Sequence, residues 1–381
     1  MNFEHTPERR ALADSLDRFI GSRSRFGGHS PTSESAAGFS AENWAGFAEL
    51  GAAGALLPEA FGGYGGTGQD IAIVFECIGR GLVLEPFLGA LMAGAALAAS
   101  GQGHHQALVE EMTTGRLVAC LAHEEPKSRY CRSHVATSAA KAGAGWRLRG
   151  AKAMVRHGGS AGLFVVSART SGSVGDAQGI TLFAVPADHP GVSVGAFDAV
   201  DGGSVAELSL HEVALDDTAV VGLLDRGHAL LERALGAGVL ALCSEALGAM
   251  EHAKDATLEY LRTRKQFNVP IGSFQALQHR MATLLLEIEQ VRSAVINAAI
   301  AFDAPDGPAK ERALSAAKFT VGRVGTLVAE ECIQMHGGIG MTWELPVSHH
   351  AKRLIMIDHQ LGDEDYYLQR YIELGRAETQ T

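Results

Sequence analysis

The chain has 381 residues, 46% hydrophobic and 20% charged, enough apolar material for two or three domains around sizeable cores. Its formal net charge of -11 argues against a nucleic-acid partner, because phosphate recognition needs a clustered basic surface. Cys77, Cys120, Cys131, Cys243 and Cys332 are scattered, odd in number and without a CxxC pair, which reads as the reduced thiols of a cytoplasmic protein and not as a disulfide framework or zinc site.

In chain order, the charged and polar opening from Met1 to Arg10 does not read as a signal peptide. From Glu8 to Arg116 apolar residues recur at helical spacing, as in Leu12, Leu16 and Ile20, then Ile71, Val74, Phe75 and Ile78. Between these segments Leu57-Pro58-Glu59-Ala60-Phe61-Gly62-Gly63 is loop chemistry. The apolar stretch from Leu82 to Ser100 is interrupted by Glu85, Pro86 and small residues, so it predicts core helices and no membrane span. From Leu117 to Gly222 short β-branched or alternating runs take over, such as 146–150, 163–167 and 180–185, separated by glycine and aspartate clusters. From His228 the helical period returns: one helix to about Arg264, a second over Phe274 to Phe302, a third over Pro308 to Met335 and a shorter fourth near the C-terminus. The expectation is an α+β multidomain chain: an N-terminal α-helical domain over 1–116, a small β-barrel-like domain over 117–225 and a C-terminal four-helix bundle over 226–381.

Three motifs then carry chemistry. Arg264-Lys265-Gln266-Phe267-Asn268-Val269-Pro270-Ile271, continuing to Phe274-Gln275 and Gln278, resembles the RxQFGxPIxxFQxxQ signature of the acyl-CoA dehydrogenase family. Gln334-Met335-His336-Gly337-Gly338-Ile339-Gly340 resembles its QxxGGxG signature, and Leu57-Pro58-Glu59 with the following glycines its PExxGG loop. The resemblance runs over essentially the whole chain. It implies the acyl-CoA dehydrogenase fold, FAD as cofactor and an acyl-CoA substrate. A guanidinium such as Arg264 can clamp a diphosphate bidentately. Gly337 and Gly338 let backbone approach a ligand, and Gln275 and Gln334 offer amide donors and acceptors. With Phe267 and Phe274 these residues form the expected FAD half-site, which in the family serves the diphosphate and adenosine of a cofactor whose ring sits in the neighbouring chain. Asn268 stands where the family has glycine; asparagine tolerates the left-handed conformation, so the turn should persist.

The ring-binding side departs from the family pattern. TEPxxGSD becomes Glu124-Glu125-Pro126-Lys127-Ser128-Arg129-Tyr130-Cys131, with Tyr130 replacing a small hydroxyl. KxWITN becomes Lys152-Ala153-Met154-Val155-Arg156-His157, with Met154 for the aromatic and Arg156 for a hydroxyl donor. The reaction needs a carboxylate to remove the α-proton. Counting on from Gly340 to the commonest family position lands on Leu361, and counting back from Phe267 to the other lands on Gly238. Neither takes a proton. Glu245 and Asp363 are the remaining candidate bases; the plainer readings are a paired core carboxylate and a turn or cap aspartate. His349, His350 and His359 do not form a metal site, since adjacent histidines leave a helix in different directions.

The pattern is most similar to the non-catalytic-looking small subunit of heterotetrameric bacterial acyl-CoA dehydrogenases of the pimeloyl-CoA and steroid-degradation type. That likeness implies a homologous partner chain and α,β-dehydrogenation of a bulky steroid-type or dicarboxylic acyl-CoA in lipid metabolism. Two alternatives stay open: a self-sufficient homotetramer with an atypical base, and a catalytically silent scaffold.

Overall fold

The computed structural model describes residues 5–23 and 39–379; residues 1–4 of the polar opening lie outside the described residues. By packing the chain forms two compact units. One gathers the first helix, Thr67–Val83 and everything from Val239 on; the other takes the described residues 39–66 and Leu84–Gly238.

The first unit begins with α1 (Pro7–Arg23), which packs on α4 (Gly68–Gly81). Thr67 caps α4 in a reciprocal box with Asp70, and Arg9 of α1 ties into that cap, its Nε donating to Asp70 Oδ1 at 2.7 Å. The apolar stripe of α4, Ile71, Val74, Phe75 and Ile78, is buried as its spacing predicts. The long helix α7 (Gly227–Thr263) supplies the core run Val239–Met250, buried throughout. Glycines let α4 and α7 touch backbone to backbone: a Cβ on Gly248 would lie 2.0 Å from the Glu76 carbonyl oxygen, and one on Gly79 1.8 Å from that of Glu245. By length and composition α7 is apolar enough to cross a membrane, but 94% of its apolar window is buried, as in a core helix.

Helices α8 (Gln275–Phe302) and α9 (Pro308–His336) pack along each other. On α8, Leu284, Ile288, Val291 and Val295 are buried, whereas Leu285 faces outward. The expected fourth helix is two: α10 (Pro346–Asp358) and α11 (Glu364–Thr379), both packed on α9. The chain breaks between them because Leu361 (φ 58°) and Gly362 (φ 122°) leave helical geometry. The buried Lys318 ammonium holds the break, donating to the carbonyls of Asp358 at 2.9 Å and Gly362 at 2.6 Å. Sequence period alone reads through such a turn because the apolar spacing resumes on the far side.

The second unit contains α2 (Ala41–Glu49), α3 (Ala52–Ala55), α5 (Phe87–Ala99) and α6 (Gln106–Thr113) beside the strands. Trp44 and Phe47 of α2 meet Phe87 of α5 edge to face at 5.0 and 5.1 Å. The strands are β1 (Ala119–Ala122), β2 (Ser138–Ala142), β3 (Gly145–Arg156), β4 (Leu163–Arg169), β5 (Ile180–Pro186), β6 (Val192–Asp198), β7 (Ser204–Asp216) and β8 (Val220–Val221). They form one sheet in the order β6-β7-β3-β2-β4-β5-β8, with β1 parallel to β4. β4 and the Ile180–Val185 run of β5 are wholly buried, matching their continuous apolar sequences. Arg169, at the end of β4, donates to the carbonyls of Ser133, Val174, Asp176 and Gln178 and so fixes the loop before β5.

Candidate functional site

The two signatures close two helices of the first unit. At the end of α7, β9 (Lys265–Gln266) and β10 (Val269–Pro270) form a hairpin whose turn is Phe267 (φ 53°) and Asn268 (φ 65°). Two left-handed residues in a row make the tight turn that matches strand twist, so Asn268 adopts the expected conformation. Phe267 adopts it too, which is costly for a large side chain, and its ring is 87% exposed. Phe274, just before α8, meets that ring edge to face at 6.1 Å. Arg264 and Gln275 are exposed beside this hairpin, and among the described residues no side chain pairs with the Arg264 guanidinium.

At the end of α9, Gly337 takes φ 67° and ψ −143°, a conformation reserved for glycine, while its N–H caps the carbonyls of Ile333 and Gln334. Cβ atoms on Gly337 or Gly338 would meet nothing within 4 Å in this chain. Among the described residues nothing therefore requires Gly338 to lack a side chain. Tyr260 of α7 stacks on His336 of α9 at 4.5 Å and brings the two helix ends together. The donor set is one guanidinium, open glycine backbone, two exposed amides at Gln275 and Gln334, and two exposed rings. It fits the diphosphate and adenosine part of FAD.

The ring-side motifs lie in the second unit and are built differently. Glu125, kept from the family pattern, turns into the core, where its carboxylate accepts from Lys152 Nζ at 2.7 Å and from the backbone N–H groups of Ala136 and Thr137 at 2.8 and 2.9 Å. Burial opposes its charge, but Lys152 and these hydrogen bonds hold Glu125 down at about 2. Burial in turn lowers Lys152 to about 8, so the pair is ionised between those limits. Lys152 also donates to Ser167 Oγ at 3.0 Å, and His123 Nδ1 lies 2.9 Å from that oxygen.

Arg156 does not extend into open space. It is buried against the turn after β6, with Nη2 3.6 Å from Asp201 Oδ2. Met154 is displaced outward by a bulge in the β3–β7 register between Lys152 and Val155, with φ 53° and 52% exposure. Tyr130 is half-buried in the preceding turn. All three differ in size or charge from the residues of the family pattern, and among the described residues no hydrogen bond or ion pair reaches the Glu124 carboxylate. The ring-side residues thus depart from the family pattern, whereas the donor set at the two helix ends follows it.

The candidate bases are both engaged. Glu245 is buried and forked: Arg353 Nε donates to Oε1 at 2.5 Å and Nη2 to Oε2 at 2.7 Å. Arg353 Nη1 continues to Gln360 at 3.2 Å. Asp363 Oδ1 accepts the Tyr366 N–H at 2.9 Å and caps α11. Gly238 is buried within α7, and Leu361 sits in the α10–α11 turn. Among the described residues no group of three or more His, Cys, Asp or Glu side chains is placed to hold a metal. The sequence reading missed Lys318, Arg353 and Glu124.

Comparison with known proteins gives the family. Residues 6–116, 120–218 and 225–362 match the N-terminal, middle and C-terminal domains of acyl-CoA dehydrogenases. The human mitochondrial short-chain specific acyl-CoA dehydrogenase is 28% identical over 326 residues, 84% of this chain and 78% of that protein. Among solved structures, a variant of the Tcur3481-Tcur3483 steroid ACAD superposes with a TM-score of 0.88 at 27% identity, over 98% of this chain and 99% of that one. The ChsE4-ChsE5 complex from Mycobacterium tuberculosis gives 0.87 at 27%, over 100% of both chains. Three consecutive domain matches covering most of the chain, on a fold of helices, sheet and helices, place this protein in the acyl-CoA dehydrogenase family, whose members are FAD-dependent flavoproteins.

Proposed function

We propose that this chain is one subunit of a heteromeric FAD-dependent acyl-CoA dehydrogenase that forms α,β-unsaturated thioesters from a bulky, steroid-type or dicarboxylic acyl-CoA. Its part is to supply Arg264, the Phe267 hairpin and the Gln334–Gly338 backbone to the diphosphate and adenosine of an FAD whose ring lies in a homologous partner chain. When bound, FAD accepts the hydride; the base that removes the α-proton belongs to the partner. The observation that carries this reading is the contrast between the two halves. Among the described residues the Arg264 guanidinium has no partner, and Gly337 and Gly338 are exposed with room beside them for a ligand. At the ring side Arg156 lies against Asp201, Met154 and Tyr130 replace smaller or aromatic residues of the family pattern, and both candidate bases are engaged within the chain. Support also comes from similarity to the ChsE4-ChsE5 complex and the Tcur3481-Tcur3483 steroid ACAD. The unpaired cysteines, four of them buried, support a cytoplasmic location.

The test is an absorbance spectrum. Purified alone, the chain should carry little FAD; co-expressed with a homologous acyl-CoA dehydrogenase chain, it should co-purify as a yellow complex. Stoichiometric FAD on the chain alone would replace this reading with a self-sufficient enzyme. A colourless assembly would replace it with a scaffold.

A further inference from the structure

The sheet of the second unit ends in a strand that the described residues leave uncovered. β6 is terminal in the strand order and pairs only with β7. Along β7, Ala206, Leu208 and Leu210 alternate into the core and are buried. Their direct partners on β6, Ala196, Val194 and Val192, share that face of the sheet. Yet every β6 residue from Ser193 to Asp198 is exposed, Val194 at 39% and Phe197, on the opposite face, at 53%. Natural edges are blunted by lysine, proline, a bulge or a covering element. β6 has none of these: it reads VSVGAFD, and its register with β7 is unbroken. An apolar edge of this kind is a template for one more strand.

Charge decides which strand fits. Between Arg169 and Arg226 the sequence contains no Lys or Arg. Some acids of this segment are met by cations of β2 and β3: Glu212 by Arg147 and Arg149, Asp217 by Lys141, Asp201 by Arg156. Asp188, Asp198 and Glu207 are exposed, and among the described residues no hydrogen bond or ion pair engages their carboxylates. These three flank the edge. Asp188 precedes β6, Asp198 ends it, and Glu207 stands opposite Gly195, which has no side chain to come between Glu207 and the edge. A second copy docked edge to edge would set these acids against their equivalents, and like charges across a strand pair are destabilising. A strand that carries cations is the complement.

We propose that the free edge of β6 docks an extended segment of another protein as an added strand. Val194, Ala196 and Phe197 take its apolar side chains, and Asp188, Asp198 and Glu207 take flanking Lys or Arg. In such strand addition the main chain supplies affinity and alternate side chains supply selectivity. No residue of the cofactor half-site takes part, so failure here leaves the heteromer reading untouched.

The experiment uses the full chain and two fluorescein-labelled peptides. Both alternate threonine with valine and phenylalanine; one is flanked by lysines, the other by glutamates. Fluorescence anisotropy at low salt should show the lysine peptide binding about tenfold more tightly, a preference that shrinks as salt is raised. Hydrogen–deuterium exchange should place the protection by that peptide in residues 192–198. Phe197→Lys, at an exposed position, should weaken the lysine peptide about tenfold while circular dichroism stays that of wild type. Asp198→Lys combined with Glu207→Lys should reverse the preference toward the glutamate peptide, which loss of structure alone would not do. If that double variant folds poorly, the wild-type peptide pair and the exchange map decide. Absent binding, equal affinity for the two peptides, or protection outside β6 would overturn the proposal. So would a concentration-dependent dimer, seen by sedimentation and abolished by Phe197→Lys, because a second copy would then hold the edge.

Discussion

Glu245→Gln distinguishes a structural carboxylate from a base. The Glu245 and Arg353 side chains are 6% and 4% exposed and joined by two charge-assisted bonds of 2.5 and 2.7 Å. Removing one partner of such a pair costs about 3–5 kcal/mol, because the other charge stays buried without its counter-ion. Glutamine conserves volume and one acceptor for the guanidinium, and Gln360 still accepts from Arg353 at 3.2 Å, so the expected loss is the low end, about 3 kcal/mol. Arg353→Lys should cost a similar amount, since an ammonium cannot span both oxygens. The double replacement Glu245→Leu with Arg353→Leu should cost less than the sum of the single changes, because no lone charge remains. Urea unfolding followed by circular dichroism measures this, reading the transition of the unit that contains α7 and α10. In the assembled complex, Glu245→Gln that is still folded at the assay temperature should dehydrogenate acyl-CoA at the wild-type rate. The reasoning fails if Glu245→Gln leaves stability within 0.5 kcal/mol, on the order of an ordinary surface change, or if the folded variant loses turnover.

Other outcomes follow from the same contacts. Arg264→Ala should leave the unfolding midpoint unchanged, since among the described residues the side chain has no partner, and weaken FAD binding by the complex about thirtyfold, on the order of 2 kcal/mol for a charge-assisted diphosphate contact; titration of FAD into the apo complex reads it. Glu125 is held below its unfolded value, so its stabilisation is present above about pH 4.5 and fades as pH falls toward about 2. The stability gap between wild type and Glu125→Gln should therefore be roughly 3 kcal/mol at pH 6 and shrink on acidification; a gap independent of pH would contradict the pairing with Lys152. Gly248→Ala places a methyl 2.0 Å from the Glu76 carbonyl oxygen and should cost about 1–3 kcal/mol by forcing α4 and α7 apart, read as a lowered thermal midpoint.

Sequence alone determined the order of helices, strands and helices, because each element writes its own period into a local window: Ile71, Val74, Phe75 and Ile78 on α4, or the unbroken apolar run of β4. It also located the two cofactor signatures, since hairpin, helix end and glycine turn are local in the chain. Only the tertiary structure decided what the ionisable residues do. Glu245 reads equally as base or core acid until Arg353, 108 residues away, is seen forked on it. Arg156 reads as a cation in a ligand pocket until Asp201 is found beside it, and Glu124 cannot be told from Glu125 until Lys152 chooses one of them. The break between α10 and α11 was hidden for the same reason: Lys318, from another helix, holds that turn. A buried charge takes its role from the partner that meets it, and that partner is set by packing between distant segments, which no local pattern records.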